Sequence, residues 1–314
     1  MNKNHMLAID PNGLAAGTKQ KIQKYRAASK ADATKRALDK NWRMFDEWCA
    51  GRGNSSFPCT PENLEAYLVH LADSGLKASS IDQARWAVNA RHKLEGIPAP
   101  GDTERVKVVV AGIKRTIGSR QSQKAALTID HLRTIAFGEG LTGKRNKAML
   151  LLGFAAGLRR SEIAELDCQD LEQLGDSYRI HISSSKTDQE GRGDFVDIVP
   201  SVNANSCPVL ALEAWLTAAA IESGPLFVSI NRWGHLGGRL STVSIGQIVK
   251  DAAQACGLDP DNFGGHSLRA GCATYLLDRG VPLNIVAKQG RWKKHDTVLR
   301  YDRNETSRVL RGVY

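Results

Sequence analysis

Six side chains in the second half of this 314-residue sequence could act together: Arg159, Lys186, His266, Arg269, Trp292 and Tyr301. They comprise a set of cations, an indole N–H donor and one late tyrosine, Trp292 and Tyr301 lying 23 and 32 residues beyond Arg269. Groups of this kind neutralise and hydrogen-bond anionic oxygens. Other chemistries lack their residues. The eight histidines form no HExxH pattern, and no Cys/His set has zinc-like spacing. The nearest approach to a phosphate-binding loop, GEGLTGKR from Gly138, has Arg145 where a magnesium-binding hydroxyl belongs. No G-x-S-x-G elbow is present. Taken singly, each of the six has an ordinary reading: a helix-end arginine, a turn lysine, an N-cap histidine, a core tryptophan, a surface tyrosine. Their joint order is what stands out.

Charge points the same way. Lys and Arg number 43 against 33 Asp and Glu, a net charge of +10. The excess falls in three stretches. Residues 1–36 hold eight basic side chains against Asp10 and Asp32. Residues 114–126 hold four and no acid, and residues 266–303 hold eight Lys/Arg against three Asp. Each alone reads as a solvated face; three spread along the chain fit a protein that surrounds a duplex and neutralises its phosphates. The longest apolar run, Ala148 to Leu158, has 11 residues, where a bilayer span needs about 20. Six scattered cysteines without a CxxC pair fit reduced thiols, and with a start that lacks a secretory apolar region they predict a cytoplasmic protein.

The elements that must position these residues follow from periodicity. Residues 1–15 show none and are expected to be loose. Residues 16–117 read as an all-α bundle. Leu38, Trp42, Phe45 and Cys49 form one helical stripe, and Thr60-Pro61 caps a helix with Leu64, Tyr67, Leu68 and Leu71 inward. Ser79 or Ser80 caps a third helix through Ile81, Ala84, Val88 and Leu94, and Thr103 opens a fourth. Trp42, Phe45, Trp48 and Trp86 are read as core. Residues 118–126 read as a linker. Residues 127–314 read as a second, mostly helical α/β domain. Thr128 opens it, residues 148–158 form a buried helix, and alternation over residues 178–200 gives a β-hairpin. Helical patterns cover residues 209–221, 242–255 and from Ser267 onward. Arg159 falls where the buried helix breaks, Lys186 in the hairpin, and His266 and Arg269 at a helix start.

The ordered motifs GLRRSEIAEL, SSSKTDQ, HSLRAGCATYLLDRG and GRWKKHDTVLRYDR resemble those of the tyrosine recombinases, the phage integrase family, and within it the Cre branch. The resemblance covers nearly the whole chain. It implies a helical core-binding domain before a catalytic domain, with Arg159, Lys186, His266, Arg269 and Trp292 as catalytic residues, Tyr301 as nucleophile and Glu162 in support. Tryptophan at position 292 is the Cre-like variant of a position often held by histidine.

The chemistry implied is cleavage and rejoining of DNA strands through a 3′-phosphotyrosine. The arginines would hold the non-bridging oxygens, His266 and Trp292 would add donors, and Lys186 would protonate the departing 5′ oxygen. No cofactor, metal or ATP is called for. The implied partners are double-stranded DNA with an inverted-repeat target and a homo-tetramer assembled on two sites, in a prokaryotic cytoplasm. Alternatives are a type IB topoisomerase-like or telomere-resolving enzyme, and a catalytically silent DNA-binding regulator.

Overall fold

In a computed structural model the described residues are 16–28, 32–118, 123–183 and 193–302. They fall in two units, Met1–Ser122 and Gln123–Tyr314. Residues 1–15, expected to be loose, part of the expected linker and the hairpin tip bearing Lys186 lie outside the described residues. Residues 123–126, expected at the linker's end, belong to the second unit: the Ala125 N–H donates to Asn262 O at 2.8 Å, and the adjoining Leu127 N–H to Ser267 O at 3.0 Å.

The first unit is helical: α1 Ala16–Ala28, α2 Asp32–Ala50, α3 Pro61–Asp73, α4 Ala78–Leu94 and α5 Glu104–Ile117. Thr60 Oγ1 accepts from the Asn63 N–H at 3.3 Å and Pro61 sits at the first turn, so α3 starts where its cap dictates. Its stripe of Leu64, Tyr67, Leu68 and Leu71 is buried against Phe45, Cys49, Ile81, Ala84, Val88, Val106 and Val110. Phe45 and Tyr67 rings meet at 5.0 Å. Three expectations fail. Trp86 is 45% exposed and Leu94 63% exposed. Trp86 is two residues from Ala84 and two from Val88, about 200° round the helix from each, so it faces away from their stripe. The N-cap of α4 is Lys77, with Ser79 and Ser80 already inside the first turn.

The second unit runs α6 Ile129–Arg133, α7 Leu141–Ala155, α8 Arg160–Glu165, β1 Leu171–Leu174, β2 Ser177–Ile182, β3 Asp194–Ile198, α9 Pro208–Ala219, β4 Val228–Ile230, β5 Leu236–Arg239, α10 Thr242–Ala255, α11 Ser267–Asp278, α12 Leu283–Gln289 and α13 His295–Leu299. The apolar α7 is central, packed against α9 and α11. Arg145 is buried within it and donates to Val228 O at 3.1 Å, so the residue that spoiled the phosphate-loop pattern ties α7 to β4. The β2–β3 hairpin is antiparallel, Tyr178 opposite Ile198 and Ile182 opposite Asp194, with Ile180, Ile182, Val196 and Ile198 inward. Strand β1 adds a third strand, and β4–β5 form a separate pair. The helical pattern from Ser267 is broken twice, at Gly280-Val281-Pro282 and at Gly290-Arg291.

Replacing Phe45 by Ala should cost about 3–5 kcal/mol of stability. Trp86→Ala should cost less than about 1 kcal/mol, because its ring leaves no cavity. Chemical denaturation of the full chain compares them; equal losses would contradict the exposed placement of Trp86.

Candidate active site

Five of the residues expected at the site converge around the C-terminal end of α7. Helix ends leave carbonyls without intrahelical donors. Here three successive ones are taken by side chains. Gln289 Nε2 donates to Ala155 O at 2.8 Å, Arg291 Nη1 to Ala156 O at 3.0 Å, and Arg269 Nη1 to Gly157 O at 2.5 Å. Cations there are favoured by the helix dipole. The chain turns sharply at Gly157 (φ +54°), whose missing Cβ would lie 3.3 Å from Gly290 Cα. The turn delivers Arg159 to the N-cap of α8.

Glu162, one turn into α8, is the hub. Its carboxylate accepts from the Arg159 N–H at 2.8 Å, from Arg159 Nη1 at 2.5 Å and from Arg291 Nη2 at 2.7 Å. The Glu162 and Arg291 side chains are 1% and 4% exposed. Burial works to raise the Glu162 carboxyl, but Arg291, the Arg159 N–H and the Arg159 guanidinium outweigh it and hold it below the usual carboxylate range. Removing one partner of such a buried pair costs about 3–5 kcal/mol, chiefly by stranding the other charge.

Arg269 lies on α11, buried, with its guanidinium carbon 4.1 Å from the Trp292 ring centroid. Burial, then the neighbouring Arg159, pulls its ionisation down to about 9, while Glu162 and Tyr301 act in the opposite direction. Among the described residues its Nη2 is buried and has no hydrogen-bond partner. A guanidinium so held is short of negative charge and has one donor to spare. Trp292 packs in turn on Tyr301, ring centroids 5.6 Å apart. Both rest on a small core of Ala273, Leu277, Val286, Ala287 and Val298. Thr274, also on α11, donates to Tyr301 O at 3.0 Å. One helix therefore fixes both Arg269 and the backbone of Tyr301.

His266 is exposed at the N-cap of α11, one turn before the buried Arg269. A Cβ on the preceding Gly265 would meet Arg160 Cδ at 2.5 Å, so the loop carrying His266 abuts the start of α8. Lys186 lies outside the described residues; Ile182 and Ser183, at the end of β2, line a small cleft with Glu162 and Glu165. Cys272 packs near Gly157, and burial pushes its thiol up to about 12, which leaves it inert.

Arg291 is absent from the expected site. It is buried, bonded to Glu162 and Ala156, and adopts φ +57°, a left-handed conformation that costs a non-glycine residue roughly 1–2 kcal/mol. The signal available was an arginine between a glycine and a tryptophan, which says nothing of burial. Among the described residues no cluster of three His, Cys, Asp or Glu could hold a metal ion, and no helix is long and apolar enough to cross a membrane.

Residues 127–308 match the model of the phage integrase family. An integrase/recombinase xerD homolog of Selenomonas ruminantium is 33% identical over 295 residues, covering 92% of this chain and 85% of that protein. The recombinase cre of Escherichia phage P1 is 27% identical over 295 residues, covering 86% and 84%. In fold the chain is similar to XerH site-specific recombinase bound to palindromic difH substrate, with TM-score 0.65 and 17% identity over 96% of this chain and 85% of that one. It is also similar to a lambda integrase dimer bound to a COC′ core site, with TM-score 0.57 and 18% identity over 91% and 93%.

Gly290 permits the stack on Arg269. A Cβ there would lie 1.7 Å from Trp292 Cζ3. Gly290→Ala should destabilise by about 1–3 kcal/mol, and the same substitution in a Trp292→Ala background should cost little. Thermal unfolding of the single and double variants checks this; an additive double variant would contradict the close approach.

Proposed function

Because the chain belongs to the phage integrase family and is a site-specific recombinase, we propose that it cuts and rejoins duplex DNA through a 3′-phosphotyrosine on Tyr301. In the forward step the phenolic oxygen forms a bond to phosphorus and the bond to the 5′ oxygen breaks. Religation to a second strand reverses it. The bond energy is retained in the phosphotyrosine, so no nucleotide is consumed.

The obstacle is charge, since a phosphodiester's anionic oxygens repel a nucleophile and gain charge as it attacks. Arg159 and Arg269 offer planar, charged forks to the non-bridging oxygens, and Trp292 and His266 add donors. A phenol is a weak nucleophile while it keeps its proton, and His266 accepts that proton. Lys186 protonates the 5′ oxygen as it leaves. Glu162 orients Arg159. The observation that carries this reading is the buried Arg269, stacked on Trp292 beside Tyr301, with Nη2 lacking a partner among the described residues. Three arginines, Arg159, Arg269 and Arg291, are grouped with the Glu162 carboxylate, so a phosphate held by Arg159 and Arg269 balances charge that the protein leaves uncompensated. The helical first unit acts as the core-binding domain. The working assembly is a homo-tetramer on two inverted-repeat sites, inside a prokaryotic cell.

A duplex enriched from a random-sequence library by repeated binding to the full chain, nicked near the cut so that religation fails, supplies the probe. With EDTA present and nucleotide absent, the wild type should form an SDS-resistant adduct and Tyr301→Phe none, with equal DNA binding. An adduct from the variant would remove Tyr301 as nucleophile. Supercoil relaxation without two-site exchange would favour a topoisomerase-like reading.

Lys186→Ala should be badly impaired on ordinary DNA yet cleave a 5′-thio-bridged substrate at nearly the wild-type rate. The thiolate leaves unprotonated, with a pKa near that of a cysteine thiol, about 8.5. Arg159→Ala should gain no such rescue. Equal impairment of Lys186→Ala on both substrates would contradict a general-acid role.

A further inference from the structure

The proposed mechanism gives Arg291 no step, yet its guanidinium is bonded at the centre of the site. Its Nη1 donates to Ala156 O at 3.0 Å and its Nη2 to Glu162 Oε2 at 2.7 Å. Its backbone joins the end of α12 to Trp292, whose N–H donates to Ala287 O at 2.9 Å. Arg159 Nη1 reaches the other oxygen of the same carboxylate, so Glu162 links the Arg291 guanidinium to that of Arg159. A left-handed residue that is buried, charged and multiply bonded is held by its surroundings, since an exposed loop would relax to an unstrained conformation.

We propose that Arg291 is a positioning residue for DNA cleavage: by clamping Glu162 to the end of α7 it sets the orientation of Arg159 and, through its own backbone, of Trp292. This rests on the reading of Arg159 as a phosphate-binding catalytic residue. Arg291 need not touch the DNA, because both of its Nη atoms are engaged within the protein. Its effect is on the geometry of the transition-state contacts, where a displacement of about 1 Å can lower a rate roughly a hundredfold.

The clamp also has an acid limit. Glu162 holds the two arginines only while ionised. The groups facing it are Arg159 from the start of α8, Arg291 from the loop after α12 and Arg269 from α11, with Glu165, Asp170 and His181 along the adjoining cleft. Losing Arg291 leaves burial less opposed, so the carboxyl takes up its proton at higher pH. The fall in cleavage rate on acidification should move upward with it.

The test is single-turnover adduct formation on the enriched, nicked duplex as a function of pH, with DNA affinity and melting temperature measured beside it. Arg291→Gly suits it, since glycine tolerates φ +57° without strain and a backbone-only role would be preserved. The expected result is unchanged DNA affinity, a rate lowered about a hundredfold and an acid limb displaced to higher pH. In a Glu162→Gln background the same substitution should cost little more, because both changes remove one linkage. A wild-type rate and pH profile in Arg291→Gly overturns the proposal, as do losses that simply multiply in the double variant. Should Arg291→Gly not fold, Arg291→Lys keeps a charge beside Glu162 but cannot span both acceptors, and wild-type behaviour there overturns it equally. A wild type that forms no adduct overturns the phosphotyrosine reading first, and this inference with it.

Discussion

The C-terminal end of α7 is the constraint on which the site depends. A buried helix cannot leave its last carbonyls bare. Gln289, Arg291 and Arg269 supply the missing donors to Ala155, Ala156 and Gly157. Meeting that requirement draws α11, α12 and the loop beyond α12 onto one point of the fold. The same turn, through Gly157, places Arg159 at the head of α8. Residues more than a hundred positions apart in the chain thereby become neighbours, and the backbone's need for hydrogen bonds does much of the assembly of the chemistry.

The electrostatics follow from that geometry. Three guanidiniums gather with one carboxylate, and burial drags Arg269 down to about 9. Such a cluster is poised for an anion: binding a phosphate adds the charge that burial has made scarce, and it does so in surroundings where each hydrogen bond is stronger than in water. Trp292 gives the arrangement its shape. Its ring lies against both Arg269 and Tyr301, so a rigid aromatic contacts both the proposed nucleophile and the cationic centre.

What was legible in the sequence was what depends on local pattern. The cap at Thr60, the buried run of α7 and the alternation of Ile180, Ile182, Val196 and Ile198 each express a period that the fold then uses. Strand β1 carries little signal in the sequence, because its four residues are half-buried to exposed and show no alternation, although the Gly175-Asp176 turn that joins it to β2 is a hairpin signal. Residue type suggests core for Trp86, but its angular position on α4 decides its exposure. The site's arginines at 159 and 269 could be singled out because their motifs are distinctive as a set. Arg291 could not, since its role arises only from long-range contacts with Glu162 and Ala156 and from a backbone conformation that no residue type announces. Lys186 remains a proposal from the motif, its position being outside the described residues.

The most direct test of this account is the structure of the full chain bound to its cleavable duplex, read at Arg269. The account predicts a non-bridging oxygen of the scissile phosphate within hydrogen-bonding distance of Arg269 Nη2, with Nη1 still on Gly157 O and the guanidinium still stacked on Trp292. Arg269 Nη2 bonded instead to protein or water, with the scissile phosphate held elsewhere, would contradict it.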